Sequence, residues 1–315
     1  ITGIFLAYIN QKNKYDLLIA NGISPSKAST MIFNVPEVTN PNMLIIIGSI
    51  LFVIFTLAIG TSNIEFSQEI VFIGSFAIIL TLLFKLSNEL DLKAKKMLLG
   101  TAIIIFAFRA MPGVGQGGSW FEIDVLGFDQ EFLSLLGLIA SFLTIIGIFV
   151  LRPLMEKSSM TKLIVILSIA GSFFILPSIA MFYGFHEFTS KITNGLVDAR
   201  FIAIFNTALE SPLGQVSMIP ILAWIAQSAP NHLKATFFAV LASFTNLALS
   251  ASNLGTKYLN QIYVITREVK TNLGDIKIPA DYSELGILMI IVCLLTLVVP
   301  IGVTFIIKKL RLISY

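Results

Sequence analysis

Arg109 lies in the apolar stretch Met97-Leu-Leu-Gly-Thr-Ala-Ile-Ile-Ile-Phe-Ala-Phe-Arg-Ala-Met-Pro112, which runs directly into Gly113-Val-Gly-Gln-Gly-Gly118. A guanidinium stays charged at any physiological pH, and at the centre of a membrane helix it costs about 2.5–3.5 kcal/mol on insertion scales. Such a charge is tolerated where it meets a partner or a water-filled cavity. The chemistry open to it is recognition of an anionic group or an ion pair with a carboxylate on another helix. If the helix stopped at Pro112, the same arginine could instead reach the headgroups.

Glu210 is the natural carboxylate, about three turns into a second apolar segment. An unpaired carboxylate in hydrocarbon takes up a proton or finds a cation, so Glu210 is a candidate counter-ion or proton carrier. The bland alternative is that Ser211-Pro212 ends the helix and leaves Glu210 wet. Asp198 stands beside Arg200 at the mouth of the same segment, where it can face a solute or cap the helix. In the next segment Ala235, Ala239, Ala242, Asn246, Ser250 and Asn253 recur at intervals of three and four and share one helix face. A small, polar stripe in a membrane helix faces other helices or a cavity rather than lipid. Asn246 reads as cavity lining and the rest of the stripe as packing. Pro112, Gly113 and Gly117 supply a bend and close approach through Gly113-x-x-x-Gly117, serving an outer gate or simple packing.

The elements that position these residues are membrane helices. The chain is 56% hydrophobic and 12% charged, and several runs reach the roughly 20 apolar residues that cross a bilayer. Open strand edges cannot satisfy their backbone in lipid, which leaves helices. Spans are predicted near 42–61, 69–87, 97–122, 130–151, 161–184, 199–227, 235–260 and 284–307. Along 97–122, Arg109 comes roughly 18 Å after Met97 on a kinked but continuous helix. The predicted architecture is an all-α polytopic membrane protein of about eight transmembrane helices. Residues 1–41 read as the end of a membrane helix and a connector, 42–87 as the last two helices of an N-terminal bundle, and 88–96 as a cytoplasmic linker. Residues 97–315 read as a C-terminal six-helix bundle with a cytoplasmic tail. The first residue, Ile1, suggests that the chain begins partway through a longer protein.

Lysines and arginines set an orientation. Lys85, Lys93, Lys95, Lys96, Arg152, Lys157, Lys162, Lys234, Lys308, Lys309 and Arg311 fall on one side. The segments 62–69 and 113–130 on the other carry no Lys or Arg but hold Glu65, Glu69, Glu122, Asp124 and Asp129. This places the C-terminus in the cytoplasm, with a bacterial plasma membrane as the expected location. The loop 257–283 dissents, with Lys257, Arg267, Lys270 and Lys277 on the outer side.

Several functions are disfavoured. A net charge of +3 scattered over connecting segments does not point to nucleic acid. The lone Cys293 reads as a buried or lipid-facing hydrophobe. His186 and His232, both in predicted loops, lack metal-ligand spacing. No Ser–His–Asp set, P-loop or carboxylate pair suggests catalysis, and the glycine run 113–118 lacks the βαβ context of a dinucleotide loop. No cofactor is implied.

Two stretches carry a resemblance. The first comprises Phe108-Arg-Ala-Met-Pro112, Trp120-Phe121 and Leu126-Gly-Phe-Asp-Gln-Glu-Phe-Leu133. The second runs from Asp198 through Met218-Ile-Pro220 and Ala229-Pro-Asn-His-Leu-Lys-Ala-Thr-Phe-Phe-Ala239 to Ser243-Phe-Thr-Asn-Leu247. With Gly147-Ile-Phe-Val-Leu-Arg-Pro-Leu-Met-Glu-Lys157, these resemble the folate–biopterin transporter family of the major facilitator superfamily, over roughly residues 97–255. Ser134 stands where the family pattern has glycine. The resemblance implies a symporter working by alternating access, with folates or pterins as solutes, protons as coupling ion and the lipid bilayer as surroundings. Arg109 would bind an anionic group of the solute or pair with Glu210. The first-half helices that the family uses are mostly absent, so this chain alone is not expected to transport. The alternatives are a transporter of an unrelated solute and a non-transporting receptor or assembly factor on the same fold. Neither the solute nor the oligomeric state follows from the sequence.

Overall fold

The structure, a computed structural model, describes residues 2–32, 43–62, 64–88, 90–228, 234–271 and 275–312. It divides into two compact units, Ile1–Ile47 and Gly48–Tyr315. In the first, α1 (Thr2–Ala20) packs against α2 (Pro25–Ile32). Gly22 turns the chain between them at φ +80°, and its N–H and that of Ile23 return to the carbonyls of Ile19 and Leu18. The left-handed conformation suits glycine because it has no Cβ. Helix α1 runs unbroken through Lys12, Lys14 and Asp16, where the sequence suggested a helix end and connector. Pro36 and Pro41 lie outside the described residues.

The second unit holds most of α3 (Met43–Gly60), followed by α4 (Ser67–Ser87), α5 (Leu92–Arg109), α6 (Gln116–Asp124), α7 (Gln130–Val150), α8 (Arg152–Lys157), α9 (Met160–Phe182), α10 (Phe185–Ile192), α11 (Ala199–Ser228), α12 (Lys234–Ile262) and α13 (Leu285–Lys309). Five of them, α4, α7, α9, α12 and α13, carry described stretches long and apolar enough to cross a membrane. The fold is the all-α polytopic membrane fold expected from composition. Three local differences matter. The predicted span 97–122 is two helices, α5 and α6, separated by non-helical residues 110–115. Much of the predicted linker 88–96 is already α5, whose first turn is capped by Asp91 accepting from Ala94 N at 2.6 Å. His186, predicted in a loop, is in α10.

The helices pair chiefly as α7 with α11, α9 with α13, α9 with α11, and α4 with α12. One core joins Leu98, Ile104 and Ile105 of α5 to Ile164 of α9, Ile221 of α11, Phe237 and Leu241 of α12 and Ile307 of α13. In another, Phe128 and Phe132 meet at 4.8 Å between centroids and pack on Met181, Ala199 and Ala203. The motif Leu126–Leu133 is therefore structural. Gly127 turns at φ +70°, Asp129 caps α7 through Phe132 N at 2.8 Å, and Asp129 also binds Arg200 at 2.8 Å, docking the start of α11. Ser134, at the position of the family glycine, donates to Gln130 O at 2.7 Å on its own helix.

The dissenting loop forms a short antiparallel hairpin of β1 (Val269–Lys270) and β2 (Ile276–Ile278). Three of its four cations are paired: Lys257 with Glu69 at 2.7 Å, Arg267 with Asp124 at 2.7 Å and Lys270 with Glu268 at 3.0 Å. The first two of these pairs tie the loop to the ends of α4 and α6. Tyr282 also donates to Asp124, at 2.7 Å. The Arg267 guanidinium, then the Tyr282 hydroxyl, hold the Asp124 carboxyl below the usual carboxylate range. Burial, then the bond to Asp124, push the Tyr282 phenol up to about 12. A depressed acid loses its contribution as pH falls through its folded pKa, and a raised phenol loses its contribution as pH rises through its own. The attachment of the hairpin to α6 is thus expected to hold between about pH 4 and pH 10, the ordinary values of the two groups. Amide exchange across 263–282, compared with Asp124→Asn at neutral pH, reads this. Equal protection in the variant would sink it.

Candidate functional site

Arg109 is the last residue of α5, so it sits at a helix end rather than midway along a continuous helix. Its Nη1 donates to Met218 Sδ of α11 at 3.1 Å, while its Nε is shielded from water and has no hydrogen-bond partner. A thioether is a weak, neutral acceptor, so the contact leaves the charge uncompensated. Among the described residues Arg109 makes no ion pair. The expected pairing with Glu210 is not made, for a geometric reason: Glu210 precedes Met218 by eight residues, roughly 12 Å along the axis of α11. Glu210 is exposed and lies within the helix, which runs through Ser211-Pro212 instead of ending there. Asp198 Oδ1 accepts from Phe201 N at 2.8 Å, the capping geometry.

The break at 110–115 is held by α12. Ser252 Oγ donates to Met111 O at 2.6 Å, Gly113 N donates to Thr256 Oγ1 at 2.8 Å, and Asn260 Nδ2 donates to Val114 O at 3.2 Å. Ser252, Thr256 and Asn260 recur every four residues, so one face of α12 supplies the partners that a continuous helix would have supplied internally. The sequence reading missed this ladder, although its spacing is visible there. The glycines permit the approach. Gly115 has φ +79° and a Cβ there would meet Asn260 Nδ2 at 2.8 Å, while one on Gly117 would meet Ile265 at 2.8 Å. Pro112 in turn lies against Gly255, where a Cβ would be 3.3 Å away. Each cross-helix bond is worth about 0.5–1.5 kcal/mol, so Ser252→Ala combined with Thr256→Val should lower the melting temperature in detergent measurably. An unchanged Tm would mean the break is held by other contacts.

The stripe on α12 divides. Asn246, Ser250 and Asn253 line a cavity of about 440 Å³ against α3 and α4, so Ser250 and Asn253 join Asn246 there rather than packing between helices. Ala239 and Ala242 are at least partly exposed, and the side chain of Ala235 lies outside the described residues. The motif residues 229–233, with His232, lie outside them too.

The site thus combines a helix break whose backbone is held by α12, a guanidinium without a counter-charge among the described residues, and close glycine contacts between helices. The chain matches the BT1 family over residues 43–315. It belongs to that family. The resemblance to the major facilitator superfamily is consistent with this match. Among curated proteins, a folate-biopterin transporter from Synechocystis sp. is 23% identical over 154 residues, which is 49% of this chain and 30% of that protein. The aligned part thus spans less than a third of the relative's length. No solved structure matches.

Asp129 and Phe132 pack the start of α7 on α11, and Met218 of α11 is the residue that meets Arg109.

Proposed function

We propose that this protein is a secondary active transporter, a symporter that moves a small anionic solute of the folate or pterin class by alternating access, with protons as the coupling ion. The observation that carries the reading is the uncompensated Arg109 beside the helix break at 110–115. Non-helical backbone at membrane depth is tolerated where protein buries it or where it lines a cavity. Broken helices of this kind form solute and ion sites in secondary transporters. A solute carboxylate supplies the counter-charge that Arg109 lacks, in a bidentate geometry suited to guanidinium. Glu210 carries the proton, and the bend at Pro112, Gly113 and Gly117 lets α6 move against α5. Asp198 serves by holding the mouth of α11. The relative's name supports the solute class, and the lysine distribution supports a cytoplasmic C-terminus in a plasma membrane.

The test is uptake of radiolabelled folate by proteoliposomes containing the complete gene product. Uptake should rise with an imposed proton gradient, and Glu210→Gln should remove the dependence on the gradient. Absence of folate uptake at every pH would remove the solute assignment. Gradient-dependent uptake in Glu210→Gln would remove the proton role.

A further inference from the structure

The cavity between α3, α4 and α12 is distinct from the surroundings of Arg109, which is not among its lining residues. No lining residue is charged. An ionised solute group placed there would gain no counter-charge, so the wall suits an uncharged group. It is nevertheless polar. The amides of Gln68, Asn246 and Asn253 line it together with Thr56 and Ser250. An amide both donates and accepts, and these three, all exposed at the cavity, make no hydrogen bond with the described residues and are open to a ligand. Thr56 Oγ1 is shielded from water and also unpartnered. The contrast with Asn260 on the same helix is direct, since that amide donates to both Val114 O and Thr256 O. Asn260 is committed to helix packing, whereas the amides at the cavity are exposed and available to a ligand.

Asn246 and Asn253 are seven residues apart, so they lie on one face of α12 roughly 10 Å from each other. That separation suits a flat fused ring hydrogen-bonded at both edges. Phe72, also in the wall, offers such a ring an apolar face. The volume of about 440 Å³ falls in the range of small-molecule sites.

We propose that this cavity is a binding site for an uncharged, planar ring with donor and acceptor edges, held by Gln68, Asn246 and Asn253 against Phe72. Identifying that ring as the pterin-like part of the solute rests on the transport reading above; the site itself does not. The solute then has two recognition regions, with the uncharged ring at α4 and α12 and the anionic group at Arg109.

Equilibrium binding of pterin, which carries no carboxylate, to the detergent-solubilised complete protein tests this. Wild type should bind pterin, and Asn246→Leu and Asn253→Leu should each weaken binding at least tenfold while Asn246→Gln retains part of it. An excess of L-glutamate should leave pterin in place. Because the Leu variants could fold poorly, a second measurement uses Ser250→Cys in a Cys293→Ser background, where pterin should slow labelling by an uncharged maleimide. No pterin binding by wild type, full binding by both Leu variants, unprotected Cys at 250, or displacement by glutamate would each overturn the site. Absent folate uptake with intact, Asn246-dependent pterin binding would instead remove folate as the transported solute and leave the site standing.

Discussion

Arg109→Ala is expected to raise the KM for folate uptake roughly 10- to 100-fold while leaving the protein at least as stable as wild type. The first part follows from the worth of a charge-assisted hydrogen bond, about 1.5–3 kcal/mol, when its donor is removed. Arg109→Lys should recover some of the loss, because a point charge replaces the planar fork that binds carboxylate through two bonds. The second part separates solute binding from structure. Arg109 contacts only the Met218 thioether through a hydrogen bond among the described residues, and its Nε is unsatisfied. Removing an uncompensated charge relieves a desolvation cost, whereas removing half of a structural ion pair would strand the other charge. Thermal unfolding in detergent, run beside uptake, distinguishes the two. A marked fall in Tm with Arg109→Ala would show that the guanidinium holds helices together.

Gly147→Ala should be the most damaging methyl group that can be added to the α7–α11 interface. A Cβ there would stand 2.5 Å from Pro212 Cα and 2.7 Å from Pro212 O. Backbone cannot rotate away as a side-chain tip can, so the helices would have to separate. Separation would also break the bond from Thr144 Oγ1 to Ser211 O, beside the proline, at 3.0 Å. Overpacking costs about 1–3 kcal/mol in general, and a backbone partner puts this case at the upper end. Gly147→Val should be worse still. A methyl group on Gly137 of the same helix would meet nothing within 4 Å, so Gly137→Ala should leave Tm unchanged or slightly higher. Equal melting of the two alanine variants would refute the close crossing.

The same contrast between local pattern and contact explains what was legible in the residues. Hydropathy marked the membrane helices because burying backbone in lipid demands long apolar runs, a property of each segment alone. The cap at Asp198 was readable because a carboxylate at a helix start acts on amides two or three residues away. The polar face of α12 was readable from its period, and the bend near Pro112 from its residue types. Whether that bend was a kink or a full break depended on partners. Proline and glycine weaken a helix, but residues 110–115 leave it altogether with Ser252, Thr256 and Asn260 there to take over their hydrogen bonds. Likewise, charge complementarity nominated Glu210 for Arg109, and the position of α11 brought Met218 instead. Segment identity is written in short-range chemistry. Which side chains meet depends on how far helices slide and rotate against one another, and contacts such as Gly147 on Pro212 and Pro112 on Gly255 set that only when the whole bundle is packed.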